Sequence, residues 1–246
     1  MNKDTLLIFF GIIIAGGMIA LSNMYRAPAQ VGQANVPTNN QPTAQQPTAQ
    51  QQQPTGPRAF NLSIDADEPT LGLKAKDGDV VMIEFSDYHC PFCKRFHDQS
   101  SAELMQKYVE NNKIQYVFMD YPLPSHDPLA TNAAVGGNCV LSQLGSEGYF
   151  LYKDAYFTKG ISLGTDAPTL IAQEVPGINM TDFASCLEAR DDAEVKADMQ
   201  RGAQNGINGT PGFIIGKLKG STIEGELVSG AVPTANFIAA IERYLK

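Results

Sequence analysis

Hydrophobic and polar positions divide the chain into three regimes. From Thr5 to Tyr25 no residue is charged, and most are Leu, Ile, Phe, Gly, Ala or Met. At about 1.5 Å per residue, a helix over this run is roughly 32 Å long, enough for a hydrocarbon core of ~30 Å. The pattern predicts a transmembrane helix anchoring the chain, within an N-terminal segment of residues 1–25. A cleaved secretory signal competes with that reading, since Ala27 and Ala29 offer small residues for cleavage. The apolar core of such a signal is usually only ~7–15 residues, which favours the anchor. Either way, the remainder of the chain is exported from the cytoplasm.

Residues 26–59 hold nine Gln, six Pro, no acid and a tandem Gln-Pro-Thr-Ala-Gln at 41–45 and 46–50. Such a segment cannot bury enough apolar surface to offset its ordering entropy, so a disordered linker is predicted. As a flexible coil its 34 residues span on the order of 30 Å.

From residue 60 the pattern becomes periodic. Val80 to Phe85 reads as a buried strand, a short apolar run flanked by Asp-Gly-Asp. A helix follows from about Pro91 to Glu110, with Phe96, Leu104, Met105, Tyr108 and Val109 at helical spacing. Ile114 to Met119 is a second strand. A mostly helical stretch covers about 127–205, punctuated by Gly145, Gly160 and Pro176-Gly177. Strands Gly212–Ile215 and Ser221–Glu224 precede a last helix from about Pro233, whose Phe237, Ile238, Ile241, Tyr244 and Leu245 share a face. The order β-α-β, helical insertion, β-β-α defines an α/β domain over 60–246.

Charge narrows the function. The chain carries 26 acids against 18 bases, a net −8, without a basic run. That argues against nucleic acid as a partner, because phosphates require a positive face.

The candidate chemistry lies at Cys90-Pro91-Phe92-Cys93, between the first strand and its helix. Proline favours the first helical position, which puts Cys90 at the N-cap and Cys93 one turn inside. Side chains three apart on a helix lie close enough for a disulfide after small adjustments. Cys90 then faces unpaired backbone N–H groups and the positive end of the helix dipole, which stabilise a thiolate. Half of a zinc site is one alternative, but Cys139 and Cys186 stand alone, with no second C-x-x-C or paired His. A purely structural disulfide is another.

Glu84-Phe85-Ser86-Asp87-Tyr88-His89-Cys90-Pro91-Phe92-Cys93, with Gly209-Thr210-Pro211-Gly212-Phe213 far downstream, resembles the DsbA-like branch of the thioredoxin superfamily. The resemblance covers roughly residues 62–245. It implies a thioredoxin-like fold with an all-helical insertion and an exported thiol:disulfide oxidoreductase that introduces disulfides into exported proteins. It implies Cys90 as the nucleophile, Cys93 as the resolving cysteine and Pro211 as a cis-proline facing them. An ordinary trans proline opening an edge strand is the alternative. The resemblance further implies reduced exported proteins as substrates, no metal or organic cofactor, and a membrane quinone-linked reoxidase as partner. The expected location is the cell membrane, single-pass, with the domain on the extracytoplasmic side, or secretion if the signal is cleaved.

Neighbours of the motif are weighed individually. Glu84 interrupts an apolar strand; facing inward it would have a raised pKa and could relay protons to Cys93, and facing outward it would simply be solvated. Asp87 is expected to cap or orient the loop. His89 either stabilises the Cys90 thiolate or sits solvated at the mouth. Phe92, Thr210 and Pro211 are expected to contact substrate. His126 and Asp127, before Pro128, are expected to cap a helix, and His97 to lie at the surface. Cys139 and Cys186 either form a second disulfide stapling the insertion, which export favours, or are two buried thiols. A same-fold reductase or isomerase, and a tethered chaperone or binding module, remain as alternative functions.

Overall fold

The computed structural model describes residues 57–66 and 68–246. The predicted anchor and nearly all of the predicted linker lie outside these residues. Among the described residues no helix is long and apolar enough to cross a membrane.

Strand β3 (Val80–Ser86) is buried along its whole length, as its apolar run requires. It pairs in parallel with β4 (Gln115–Asp120) and antiparallel with β5 (Gly212–Lys219). β5 continues through a hairpin into β6 (Thr222–Ser229). Two short strands not anticipated from the sequence, β1 (Arg58–Phe60) and β2 (Thr70–Gly72), close the edges in the order β1-β6-β5-β3-β4-β2. The segment read as linker to residue 59 is thus strand from Arg58 onward. The reason is tertiary: Phe60 is buried, and the Arg58 guanidinium lies 4.5 Å from its ring while donating to the Asn205 carbonyl at 2.8 Å.

Alternation along β3 feeds two cores. Val80 and Met82 join Tyr116, Phe118, Phe213 and Ile215 on one face; Val81, Ile83 and Phe85 join Val117, Met119 and Ile214 on the other. On the first face lies the helix that follows the motif. It begins as α1 (Pro91–Phe96) and runs through a π-turn, α2 (Ala102–Leu104) and a second π-turn ending at Val109. It packs there with α7 (Thr234–Tyr244), where Phe96, Phe213 and Phe237 meet at 4.6–5.1 Å between ring centroids.

The insertion is helical as expected: α3 (Leu129–Lys159), α4 (Ala167–Ala172), α5 (Met180–Ala189) and α6 (Ala193–Gln204). Gly145, at φ 65°, breaks α3 into two halves. The small residues of the first half admit tyrosines from the second: a Cβ on Gly136 would sit 2.5 Å from the Tyr152 hydroxyl, which donates to the Ala133 carbonyl. α6 approaches the opposite sheet face through Gly202, where a Cβ would come within 2.9 Å of the Tyr121 and Phe85 rings.

Candidate active site

The turn between β3 and α1 places the motif as the sequence predicts. Cys90 is the N-cap of α1, in extended conformation (φ −77°, ψ 122°), with Pro91 at the first helical position. Both cysteines are free thiols, 2% and 0% exposed. The Cys90 thiol donates to the Thr210 carbonyl at 3.4 Å, and the Asp87 amide donates to Cys93 Sγ at 3.5 Å. The two sulfurs are thereby separated chemically. Hydrogen bonding from Cys93, with help from the Thr210 side chain and the backbone of Phe92 and Cys93, overrides burial and lowers the Cys90 pKa to about 5. Burial and the adjacent Cys90 push the Cys93 thiol well up. The surroundings therefore favour a thiolate at Cys90 and a protonated thiol at Cys93.

The Thr210–Pro211 bond is cis, as the resemblance implies. The Pro211 carbonyl accepts from the Gly230 amide at 2.8 Å, tying this loop to the end of β6. Phe92 is 53% exposed at the mouth, with the Arg95 guanidinium 4.9 Å from its ring. His89 does not reach the Cys90 sulfur among its hydrogen bonds: its Nε2 pairs with the Tyr156 hydroxyl at 2.9 Å, and burial lowers its pKa.

Glu84 faces inward, 2% exposed, and accepts from the Tyr116 hydroxyl at 2.6 Å. Burial raises its pKa, against the opposing pull of Lys153 and Tyr116. Ser86, two residues along the same strand face, brings its hydroxyl next to both Glu84 and Cys93 without closing hydrogen-bond geometry to either. Lys153 escaped the sequence reading. The signal was there: at helical spacing it shares a face with Tyr149, Tyr152 and Tyr156, an apolar setting for a charge.

Asp87 does orient the loop. Its buried carboxylate accepts from the His89 amide (2.7 Å), the Leu123 amide (2.8 Å) and His126 Nδ1 (2.7 Å). The expected cap at residues 126–127 is therefore half right. Asp127 accepts from the Thr131 hydroxyl at 2.6 Å, whereas His126 turns back to Asp87. His97 is not a plain surface residue: its ring stacks on Phe157 at 5.4 Å between centroids and its Nδ1 is buried, because the aromatic side chain of Phe157 covers it. Cys139 and Cys186 are joined in a disulfide with Cα atoms 5.8 Å apart, outside the site.

A second group of ionisable residues lies elsewhere. Glu68, Glu194 and Asp198 bring carboxylate oxygens within 4.8 Å of one another, a spacing that could hold a cation. Arg201 already inserts its guanidinium among these three and Asp65. Nearby Asp120 and Asp198 have pKa values raised to about 8 by burial, as does Glu68.

A cysteine with a lowered pKa beside one that holds its proton is the arrangement dithiol–disulfide exchange needs, and the fold around it defines the class as thioredoxin-like. The chain belongs to the thioredoxin family: the family model described as Thioredoxin matches residues 67–232. A Rickettsia bellii protein named a protein-disulfide oxidoreductase is 33% identical over 70 residues, 28% of this chain and 27% of that one. The Bacillus cereus protein named for disulfide bond formation protein D is 21% identical, covering 58% of this chain and 68% of its own length. The chain thus matches from about a quarter to two thirds of these relatives. Among solved structures, oxidised BdbD from Bacillus subtilis superposes with a TM-score of 0.62 at 18% identity, covering 76% of this chain and 98% of its own. Wolbachia pipientis alpha-DsbA1 gives 0.62 at 22% identity, covering 75% and 94%.

Proposed function

We propose that the protein is an extracytoplasmic disulfide donor, working through Cys90 and Cys93 on exported proteins. In the oxidised form a substrate thiolate attacks Cys90 Sγ. The Cys90–Cys93 bond breaks, and its electron pair leaves on Cys93, which takes up a proton. The substrate's second thiolate then attacks the mixed disulfide, forming the substrate disulfide and releasing Cys90 as thiolate. Two electrons remain on the enzyme dithiol and pass to a reoxidase, for which a membrane quinone-linked partner is the proposed class. Glu84, buried with a raised pKa and with Ser86 between it and Cys93, is the proposed proton relay. Thr210 and Pro211 form the wall against which a substrate segment lies, and Phe92 is the exposed apolar contact.

The observation that carries this reading is Cys90 at the N-cap of α1, with Cys93 one turn inside and the Thr210–Pro211 loop against it, a setting that lowers its thiol pKa. A pKa of about 5 stabilises the reduced form at pH 7 by roughly 3 kcal/mol relative to an un-ionised thiol. That moves the couple by roughly 60 mV toward oxidant. Glutathione equilibration tests it. A potential well above the about −270 mV of thioredoxin is expected, together with Cys93→Ser adducts to exported proteins. A value as low as thioredoxin's would transfer the role to a reductase, and absence of adducts would leave a binding module. We further propose that residues 5–25 anchor the domain to the cell membrane and that residues 26–57 tether it.

A further inference from the structure

Resting on the dithiol role just proposed, and deepening it, we propose that His126 is a positioning residue for the exchange reaction, acting through Asp87 on both cysteines. Asp87 is the last residue before the motif turn, and both its backbone and its side chain are engaged. Its carbonyl accepts from the Cys90 amide at 3.0 Å and its amide donates to Cys93 Sγ at 3.5 Å. Its carboxylate, 0% exposed, is gripped from two segments. The His89 amide comes from the motif turn, and the Leu123 amide and His126 Nδ1 come from the loop between β4 and α3. The residue that positions the sulfurs is thus bolted to a separate loop, and His126 is the one side chain among the bolts.

Charge gives His126 a second effect. A buried carboxylate without a compensating donor is costly, and one held beside a thiolate disfavours that thiolate. The other ionisable groups around Asp87 are His89, Tyr156 and Asp120, and none of them offers a side-chain hydrogen bond to it. His89 spends its Nε2 on Tyr156, and Asp120 is itself an acid. His126 alone supplies a side-chain N–H. Its removal leaves the buried carboxylate on two backbone amides alone and loosens the residue whose amide and carbonyl hold Cys93 Sγ and the Cys90 amide. His126 is 24% exposed, so its ring also reaches solvent at the edge of the site.

The test is a set of three variants in the full chain, read by ultraviolet thiolate titration and by glutathione equilibrium. His126→Ala is expected to raise the Cys90 pKa by about one pH unit and to cut the equilibrium constant for oxidising glutathione about tenfold. His126→Gln, which retains an N–H donor for Asp87, is expected to restore most of both. Thr131→Ala removes the Asp127 cap on the same loop without touching Asp87; it should lower thermal stability and leave both redox readings unchanged. If His126→Ala lowers stability only, with the Cys90 pKa and the equilibrium constant of the parent, His126 is merely structural and the proposal is overturned. A shift of equal size in Thr131→Ala would overturn it as well. Should the parent itself show no reversible Cys90–Cys93 couple, the proposed function fails instead, and the two failures are distinguished.

Discussion

Cys90 and Cys93 differ by three positions and by one property, their access to the start of a helix. The first sits where α1 leaves its N–H groups unpaired, and the second lies one turn inside, under the aromatic core. A depressed thiol pKa stabilises the folded reduced protein fully above the unfolded thiol's ~8.5, and the effect is lost as pH falls through about 5. Reduction should therefore make the domain more resistant to urea at pH 7, by about 2–3 kcal/mol, with the gap closing toward pH 5. Urea titrations of oxidised and reduced protein lacking the Cys139–Cys186 bridge check this, and a less stable reduced form contradicts it. At Glu84 the expectation is kinetic: Glu84→Gln should slow exchange with a reduced protein substrate about tenfold or more and flatten its pH profile. Unchanged stopped-flow rates would remove Glu84 from the relay. Of these residues the sequence shows the motif and the acid in the strand. It marks Lys153 only as a charge on an apolar face, and the roles of Ser86 and Lys153 beside Glu84 arise only when α3 is laid across β3 and β4.

At the scale of elements, connections between distant segments decide what a sequence reveals. Strand β3, the motif helix and the punctuated insertion are legible because each is a local pattern of apolar positions or a glycine break. β1 and β2 are not, since three residues carry no periodicity and exist only by pairing with β6 and β4. Nor is the acidic group legible. Glu68 precedes β2, Asp120 ends β4, and Asp198 and Arg201 lie on α6, so nothing local announces that they meet. Its consequence is testable. Carboxylates raised to about 8 contribute stability below the unfolded ~4, and this is lost as pH rises through about 8. Asp120→Asn should then unfold at higher temperature than the parent at pH 9 and near the parent's temperature at pH 5; the reverse order would show that the ionised acid is well satisfied. The disulfide between α3 and α5 closes a loop of 47 residues' separation. Replacing both cysteines by Ala should cost about 4 kcal/mol in the chain-entropy model, measurable by urea unfolding.

For the whole molecule the question is where a strongly acidic domain works. Residues 60–246 hold 15 bases and 25 acids, a net −10, once Lys3, Arg26, Arg58 and Asp4 are set apart from the chain totals. An anionic bilayer surface repels such a domain within a Debye length of about 8 Å. If residues 26–57 tether the domain as proposed, a flexible coil of some 30 residues would reach on the order of 30 Å, enough to clear that layer. Full-length protein is expected to stay with membranes through an alkaline wash, and Cys90 to react with an impermeant maleimide on intact cells. Deleting residues 30–53 leaves about ten linker residues, a reach of roughly 17 Å. The glutathione equilibrium should not change, because the dithiol environment lies wholly within the folded domain. Oxidation of a large reduced protein should slow relative to that of a short dithiol peptide, because the larger substrate must fit between domain and bilayer. Equal slowing of both substrates would mean that the linker acts on the site itself, and recovery of the full chain in the soluble fraction would remove the tether altogether.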